Sequence, residues 1–324
     1  MTRAIRVHEH GGPEKLRWEE VEVPAPGPGE IRVRQSVLGL NYIDTYHRTG
    51  LYPNATPHGL GLEGSGTVEQ VGEGVTHLSL GDRIAYGNGP LGAYAEERIL
   101  PAGRVVKLPD GVSDEQAAAV MLKGMTVRYL IRETYAVKPG ETVLWHAAAG
   151  GVGLIATQWL SAEGVTVIGT AGSAAKAELA REHGAAHVIR YDEEDVAERV
   201  REITDGKGVP VVYDGVGAAT LEASLDSLKP RGLLASFGNA SGPVTGFALG
   251  TLAAKGSLYV TRPVLAAYVP TDEALAANAS EVLEQVARGT IKVRVNQRYA
   301  LQDAADAHRA LEARQTTGST VLTV

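Results

Sequence analysis

From Leu144 to Leu154 the chain reads LWHAAAGGVGL, an apolar run that tips directly into a cluster of small residues. Gly150, Gly151 and Gly153 let the backbone turn tightly after a strand and bring helix N-terminal amides against a ligand's pyrophosphate, as in a dinucleotide fold. The spacing is A-x-x-G-x-x-G through Ala147, Gly150 and Gly153 rather than the common G-x-G-x-x-G, and such turns also occur where a helix and a strand merely pack closely. Context favours the cofactor. The pattern predicts a buried strand over 142–146, an apolar-faced helix over 151–163 and a second strand over 165–170, the required strand, turn, helix, strand frame.

The alternation continues, with helix 174–183, strand 187–190, a charged helix over about 193–204, strand 209–214, helix 218–228 and strand 232–237. That order builds a doubly wound parallel sheet, and open sheets of this kind bind ligands at the carboxyl ends of their strands. Roughly 20 residues past the glycine turn, an NAD site usually carries an acid for the ribose 2′-hydroxyl. Here the segment reads Gly169, Thr170, Ala171, Gly172, Ser173 and then Lys176. A hydroxyl and a cation without a carboxylate suit a 2′-phosphate, so NADP(H) is the expected cofactor, although a lysine here is also an ordinary solvated helix residue.

The 324 residues allow two domains, and the alternating stretch uses only the middle. Before it, Gly and Pro punctuation recurs in the rhythm of an all-β unit; after it, strands over 293–299 and 319–324 flank a helix over 301–313. The first domain is therefore expected to be split across both termini, 1–124 and 266–324, with the cofactor domain at 125–265. A net charge of −7 without a basic block argues against nucleic acid, no apolar run reaches membrane-spanning length, and the first residues carry no apolar leader, which makes the cytoplasm the expected location. No cysteine exists to supply a thiolate or ligate zinc, and the nine histidines show no ligand spacing, so no metal is expected.

Along its whole length the chain resembles the zinc-independent quinone oxidoreductases, the zeta-crystallin-like branch of the medium-chain dehydrogenase/reductase superfamily. The resemblance rests on HGGPEKL from His10, NYIDTYHRTGLYP from Asn41, GLEGSGTV from Gly61, GDRIAY from Gly81, KGMTVRYL from Lys123, HAAAGGVG from His146, VVYDGVG from Val211, SFGNASG from Ser236 and GSLYVTRP from Gly256. It implies an α/β architecture, a GroES-like, mostly β catalytic domain plus a Rossmann-type doubly wound parallel sheet. Where zinc-dependent members carry a ligand histidine and a ligand cysteine, this chain has Leu62 before Glu63, and Asn41 with no cysteine anywhere.

Carried over by position, the resemblance implies that Asn41, Tyr42, Ile43, Asp44, Thr45 and Tyr46 line the nicotinamide half of the cofactor, with Thr126 and Tyr129 opposite. Gly150, Gly151 and Val152 meet the pyrophosphate; Gly172, Ser173, Lys176 and Tyr191 hold the 2′-phosphoadenosine end; Val216, Gly238, Asn239 and Ser241 follow the sheet edge. Arg262, Val264 and Leu265 reach the nicotinamide, and Arg314 closes the site.

The implied reaction is metal-free reduction of a quinone by NADPH, by hydride or by single-electron transfer. Asn41, Tyr46, Tyr52 and Arg262 are the candidates to position the acceptor and meet charge on its oxygen, with no dedicated acid or base assigned. Two alternatives share the cofactor residues: reduction of an activated C=C bond in 2-alkenals or enones, and a non-catalytic, crystallin-like role that binds NADPH or RNA. Relatives also imply a homodimer.

Overall fold

Residues 2–125 carry eight strands and two helices in the computed structural model, which describes residues 2–324. In order come β1 (Thr2–Val7), β2 (Leu16–Val21), β3 (Glu30–Leu40), α1 (Tyr42–Thr49), β4 (His58–Gly59), β5 (Glu63–Val71), β6 (Arg83–Gly87), β7 (Glu97–Pro101), β8 (Val106–Lys107) and α2 (Asp114–Tyr129). Strands and helices then alternate: β9 (Thr142–Trp145), α3 (Gly151–Ala162), β10 (Thr166–Ala171), α4 (Ala174–Glu182), β11 (His187–Arg190), α5 (Val196–Ile203), β12 (Val209–Asp214), α6 (Leu221–Asp226), β13 (Leu228–Ser236), α7 (Gly250–Ala254) and β14 (Tyr259–Thr261). The chain closes with α8 (Leu265–Tyr268), α9 (Asp272–Ala287), β15 (Val295–Ala300), α10 (Ala304–Glu312) and β16 (Ser319–Thr323).

Two units result. One takes the chain through Met125 together with Val269–Gly289 and Val293–Val324; the other is Thr126–Tyr268 with Thr290–Lys292. In the first, a seven-stranded sheet runs β15-β16-β3-β5-β6-β8, with β7 also on β3, and a smaller sheet runs β2-β1-β4. Alternating residues of these strands, Ile31, Val33 and Leu38 on β3 among them, are fully buried and join Val7, Leu60, Ile84 and Leu100 in one core.

In the second unit six strands, β11-β10-β9-β12-β13-β14, form an all-parallel sheet. Every residue of β12 is buried, and Leu144, Ile168, Ile189, Val212 and Leu234 make the core, as expected when helices cover both faces. All described carboxyl ends of these strands therefore lie on one edge.

Two expectations need correcting, and one helix lies outside them. The charged helix α5 begins at Val196 rather than near Glu193, because the Asp195 carboxylate accepts the Glu198 N–H at 2.9 Å and caps it there. Helix α6 ends at Asp226 and β13 already begins at Leu228; a register shift against β12 between Val209 and Val211 takes up the Lys229-Pro230-Arg231 segment that reads as a loop. Helix α9 was not anticipated, although its apolar face, Leu275, Ala279, Val282 and Val286, keeps helical spacing behind a Thr271 cap. Among the described residues, no helix is long and apolar enough to cross a membrane.

Candidate functional site

The glycine turn is built as its sequence demands. Ala147 adopts a left-handed conformation (φ 54°), and Gly150 precedes the first turn of α3. Gly153 sits so close under the end of β9 that a Cβ would lie 2.5 Å from the Ala147 oxygen and 2.6 Å from the Ala148 oxygen. Helix and strand can approach this closely only without a side chain, leaving the α3 N-terminus and its dipole at the sheet edge.

At the end of β10 the four residues expected at the adenosine end are grouped. Ser173 caps α4, its hydroxyl oxygen accepting the Lys176 N–H at 3.3 Å, which leaves its own O–H free to donate. Tyr191 covers Gly172, where a Cβ would stand 2.2 Å from the tyrosine oxygen, and it is half exposed. No acid stands between Gly169 and Lys176.

The next strand ends are held by a carboxylate outside the expected set. Asp214, buried at the end of β12, accepts the N–H groups of Val216 (2.7 Å) and Gly217 (3.0 Å) and the hydroxyls of Thr220 (2.7 Å) and Ser224 (2.8 Å). Ser241 ties the Val216 segment to the next loop, donating to the Val216 oxygen and accepting the Ala219 N–H, both at 2.9 Å. The Arg262 guanidinium donates to the oxygens of Ser236 (2.8 Å) and Gly238 (3.1 Å), and the Asn239 amide lies with its oxygen toward Arg262 Nη2 (3.0 Å). Arg262 thus fastens the loop after β13. His146 is buried between the hydroxyls of Thr170 and Ser224, and burial pushes its imidazole below the usual range.

In the other unit, α1 carries an aromatic ladder. Tyr42 and Tyr46 rings are 5.7 Å apart, Tyr46 and Tyr52 5.2 Å, and the Tyr52 N–H donates to the Tyr46 oxygen at 3.0 Å. Asn41, the N-cap, donates its side-chain amide to Glu63 Oε2 at 2.7 Å. Glu63, fully buried, also receives the Lys123 ammonium (2.8 Å) on the same oxygen and the Leu122 N–H (2.7 Å) on the other.

Three of the expected cofactor contacts, Asp44, Leu265 and Tyr129, are buried. Asp44 is fully buried; its Oδ2 accepts the Asn41 N–H and the Tyr94 hydroxyl, both at 2.9 Å, so it anchors α1. Burial pushes its carboxyl up to about 7. Leu265 is 7 % exposed, as is Tyr46, whereas neighbouring Val264 is half exposed. Tyr129 is likewise buried, its ring stacked 4.3 Å over Tyr268.

Behind Asp44 lies a network absent from the sequence reading. Tyr94 meets His308 Nε2 at 3.3 Å; Arg48 Nη1 donates to His308 Nδ1 at 2.9 Å, which fixes the neutral tautomer with its proton on Nε2; Arg48 then pairs with both Glu312 oxygens at 2.7 and 2.9 Å. Burial holds His308 down at about 3. The partners are up to 264 positions apart, so no local pattern announces them.

A parallel sheet with a glycine-turned helix at its carboxyl edge, joined to a mostly β unit assembled from both chain ends, defines a nucleotide-dependent dehydrogenase. Residues 27–110 match the family model for the alcohol dehydrogenase GroES-like domain, and residues 151–274 that for zinc-binding dehydrogenase. The chain is 58 % identical to a quinone oxidoreductase of Pseudomonas aeruginosa over 99 % of both sequences. It matches the crystal structure of Escherichia coli quinone oxidoreductase complexed with NADPH with a TM-score of 0.98 and 52 % identity, over 99 % of this chain and 100 % of that one. A 2-haloacrylate reductase of Burkholderia is 44 % identical over 99 % of both. The chain belongs to the quinone oxidoreductase family of the medium-chain dehydrogenase/reductase superfamily. The zinc in one family model's name does not fit these residues: the chain has no cysteine, and among the described residues no three His, Cys, Asp or Glu side chains converge as a metal site.

Proposed function

We propose that this protein is an NADPH-dependent quinone reductase whose cofactor selectivity is written at the end of β10. The observation that carries the reading is the grouping of Gly172, Ser173, Lys176 and Tyr191 on a strand end without an acid. A free serine O–H and a lysine cation complement a 2′-phosphate that a carboxylate would repel. The complex of the Escherichia coli relative with NADPH supports the same choice.

When bound, the cofactor supplies a hydride from its nicotinamide. The α3 N-terminus, with Gly150, Gly151 and Val152, holds the pyrophosphate. Val216, Gly238, Asn239 and Ser241 follow the sheet edge, with Arg262 locking the loop they stand on. Asn41, Tyr42, Ile43, Thr45 and Tyr46 serve the nicotinamide half, together with Thr126, Val264 and Arg314. Tyr46 and Tyr52, in edge contact at 5.2 Å, offer phenol O–H donors to the acceptor's oxygen and exclude water from its ring.

The 2-haloacrylate reductase relative favours a second reading, reduction of an activated C=C bond by the same cofactor machinery. NADPH and NADH oxidation by the purified protein, with 1,4-benzoquinone, 9,10-phenanthrenequinone, a 2-alkenal and 2-chloroacrylate in parallel, separates the two. Quinone turnover with NADPH preferred over NADH is the expected result; turnover on the alkenes alone would transfer the enzyme to the second reading, and equal use of both cofactors would refute the phosphate site.

The active species is a homodimer. β14 is an edge strand of the parallel sheet, with Tyr259 61 % and Val260 40 % exposed, and an uncovered strand edge with apolar side chains is a template for a second copy. Light scattering should give twice the chain mass of 34.1 kDa, and a mass near that of one chain would refute the pairing.

A further inference from the structure

Glu63 is a fully buried carboxylate held by three donors, and the reaction gives it no task. It opens β5 opposite Gly39 of β3, where a Cβ would lie 2.0 Å from Glu63 Oε2 and 2.3 Å from the Ala118 oxygen, so only glycine leaves room for the carboxylate. Three donors converge on it: the Leu122 N–H from the middle of α2 on Oε1, and the Lys123 ammonium and Asn41 Nδ2 on Oε2. Lys123 is 5 % exposed and Glu63 not at all. A buried charge pair is a costly way to hold a fold together, since apolar residues of similar size serve as well or better. What an apolar pair cannot do is hold an amide by its nitrogen.

The Asn41 amide is oriented by this arrangement. Its Nδ2 faces two acceptors, Glu63 Oε2 at 2.7 Å and the Gly39 oxygen at 3.4 Å, so both N–H bonds are engaged. Its oxygen takes part in the capping box with Asp44, and an amide oxygen accepts two hydrogen bonds, so one lone pair remains to offer. Asn41 is therefore equipped to accept and not to donate, which removes it from the donors that could meet charge on a reduced acceptor.

We propose that Glu63, fixed by Lys123 and the Leu122 amide, is a positioning residue that turns the Asn41 amide so that its oxygen accepts a donor of the cofactor's nicotinamide half, a ribose hydroxyl or the carboxamide N–H2. This rests on the placement of Asn41 beside the nicotinamide. A carboxylate on the nitrogen side also polarises the amide and strengthens its oxygen as an acceptor.

The test is a mutant cycle read by NADP+ titration. Asn41→Ala should weaken NADP+ binding about tenfold, the worth of one good hydrogen bond. The double variant Glu63→Leu with Lys123→Met removes both buried charges together, so folding is spared the unpaired partner, and should show the same loss. Adding Asn41→Ala to that double variant should cost nothing further; additive losses would overturn the proposal while leaving Asn41 at the cofactor. Unchanged affinity in Asn41→Ala alone would overturn both.

Asn41→Asp supplies a readout that general structural damage would not imitate. It sets a second carboxylate 2.7 Å from Glu63, where the pair must share a proton. NADP+ affinity should approach the parent's at low pH, when the shared proton restores the contact, and fall about tenfold as pH rises and the proton leaves. A pH profile parallel to the parent's would refute the contact between Glu63 and the working atom of Asn41. The 3-acetylpyridine analogue of NADP+, which lacks the carboxamide N–H2, separates the donors. Equal binding by parent and Asn41→Ala assigns the carboxamide, and a persisting difference assigns the ribose hydroxyl.

Discussion

Replacing Gly153 by alanine tests the glycine turn at its tightest point. The added Cβ would lie 2.5, 2.6 and 2.7 Å from the Ala147 oxygen, the Ala148 oxygen and the Ala148 carbonyl carbon, all backbone atoms that cannot swing aside. Restoring a tolerable separation of about 3.2 Å from 2.5 Å moves the start of α3 by about 0.7 Å. An N–H that would donate at about 2.9 Å is then left beyond 3.5 Å, outside hydrogen-bond range. Losing one charge-assisted bond to the pyrophosphate costs about 1.5–3 kcal/mol, or roughly 10- to 100-fold in NADPH affinity. The strain itself should remove about 1–3 kcal/mol of stability. Fluorescence titration with NADPH and a thermal melt measure the two losses. Gly250→Ala is the matched control, because a Cβ there meets nothing within 4 Å and the backbone needs no left-handed conformation. A Gly153→Ala protein that bound NADPH and melted like Gly250→Ala would refute the claim that close helix and strand packing sets the pyrophosphate site.

Lys176→Ala should weaken NADPH binding about tenfold while leaving NADH nearly unchanged; equal loss for both would mean that the lysine does not read the phosphate. Asp44 sets a pH dependence of stability: burial raises its carboxyl to about 7 when folded against the ordinary aspartate value of 3.8, so the folded protein binds more protons between those limits and its stability falls as pH rises through them. In Asp44→Asn that decline should vanish, so melting series of variant and parent should converge or cross toward pH 8, and parallel curves would contradict the assignment. Arg48→Met should cost about 3 kcal/mol in a denaturant melt, because it strips buried His308 and Gly11 of a donor and leaves Glu312 unpaired.

The middle of the chain was readable because its signals are local. β9, the turn and α3 lie within about 20 consecutive residues, and each strand of the parallel sheet is an apolar run closed by a loop. Ser173 and Lys176 were named for the same reason, standing a fixed distance past the glycine turn in a segment without an acid. The polar interior of the β-rich unit was not readable. Glu63 meets Lys123 across 60 positions and Arg48 meets Glu312 across 264, and a glutamate opening a strand looks the same in sequence whether it ends in water or in a core. The anchoring role of Asp44 was not readable for a related reason. Its place among tyrosines on α1 shows which turn of the helix it occupies, but only the buried Tyr94 and the capping of Asn41 show that it faces inward.

The pairing of β16 with β3 carries a consequence for how the protein is made. Residues Val37 to Leu40 of β3 hydrogen-bond to Thr320 through Thr323, so one edge of the seven-stranded sheet waits for a strand made long after it. Between the synthesis of β5, ending at Val71, and that of β16 some 250 residues are added, about 12–50 s at ordinary translation rates. The nucleotide-binding sheet, whose strands all lie between Thr142 and Thr261, can close in that interval, while the first-made strands keep an open edge. Nascent chains stalled before α10 are thus expected to carry a finished parallel sheet beside an incomplete β-rich unit that nascent-chain chaperones would recognise.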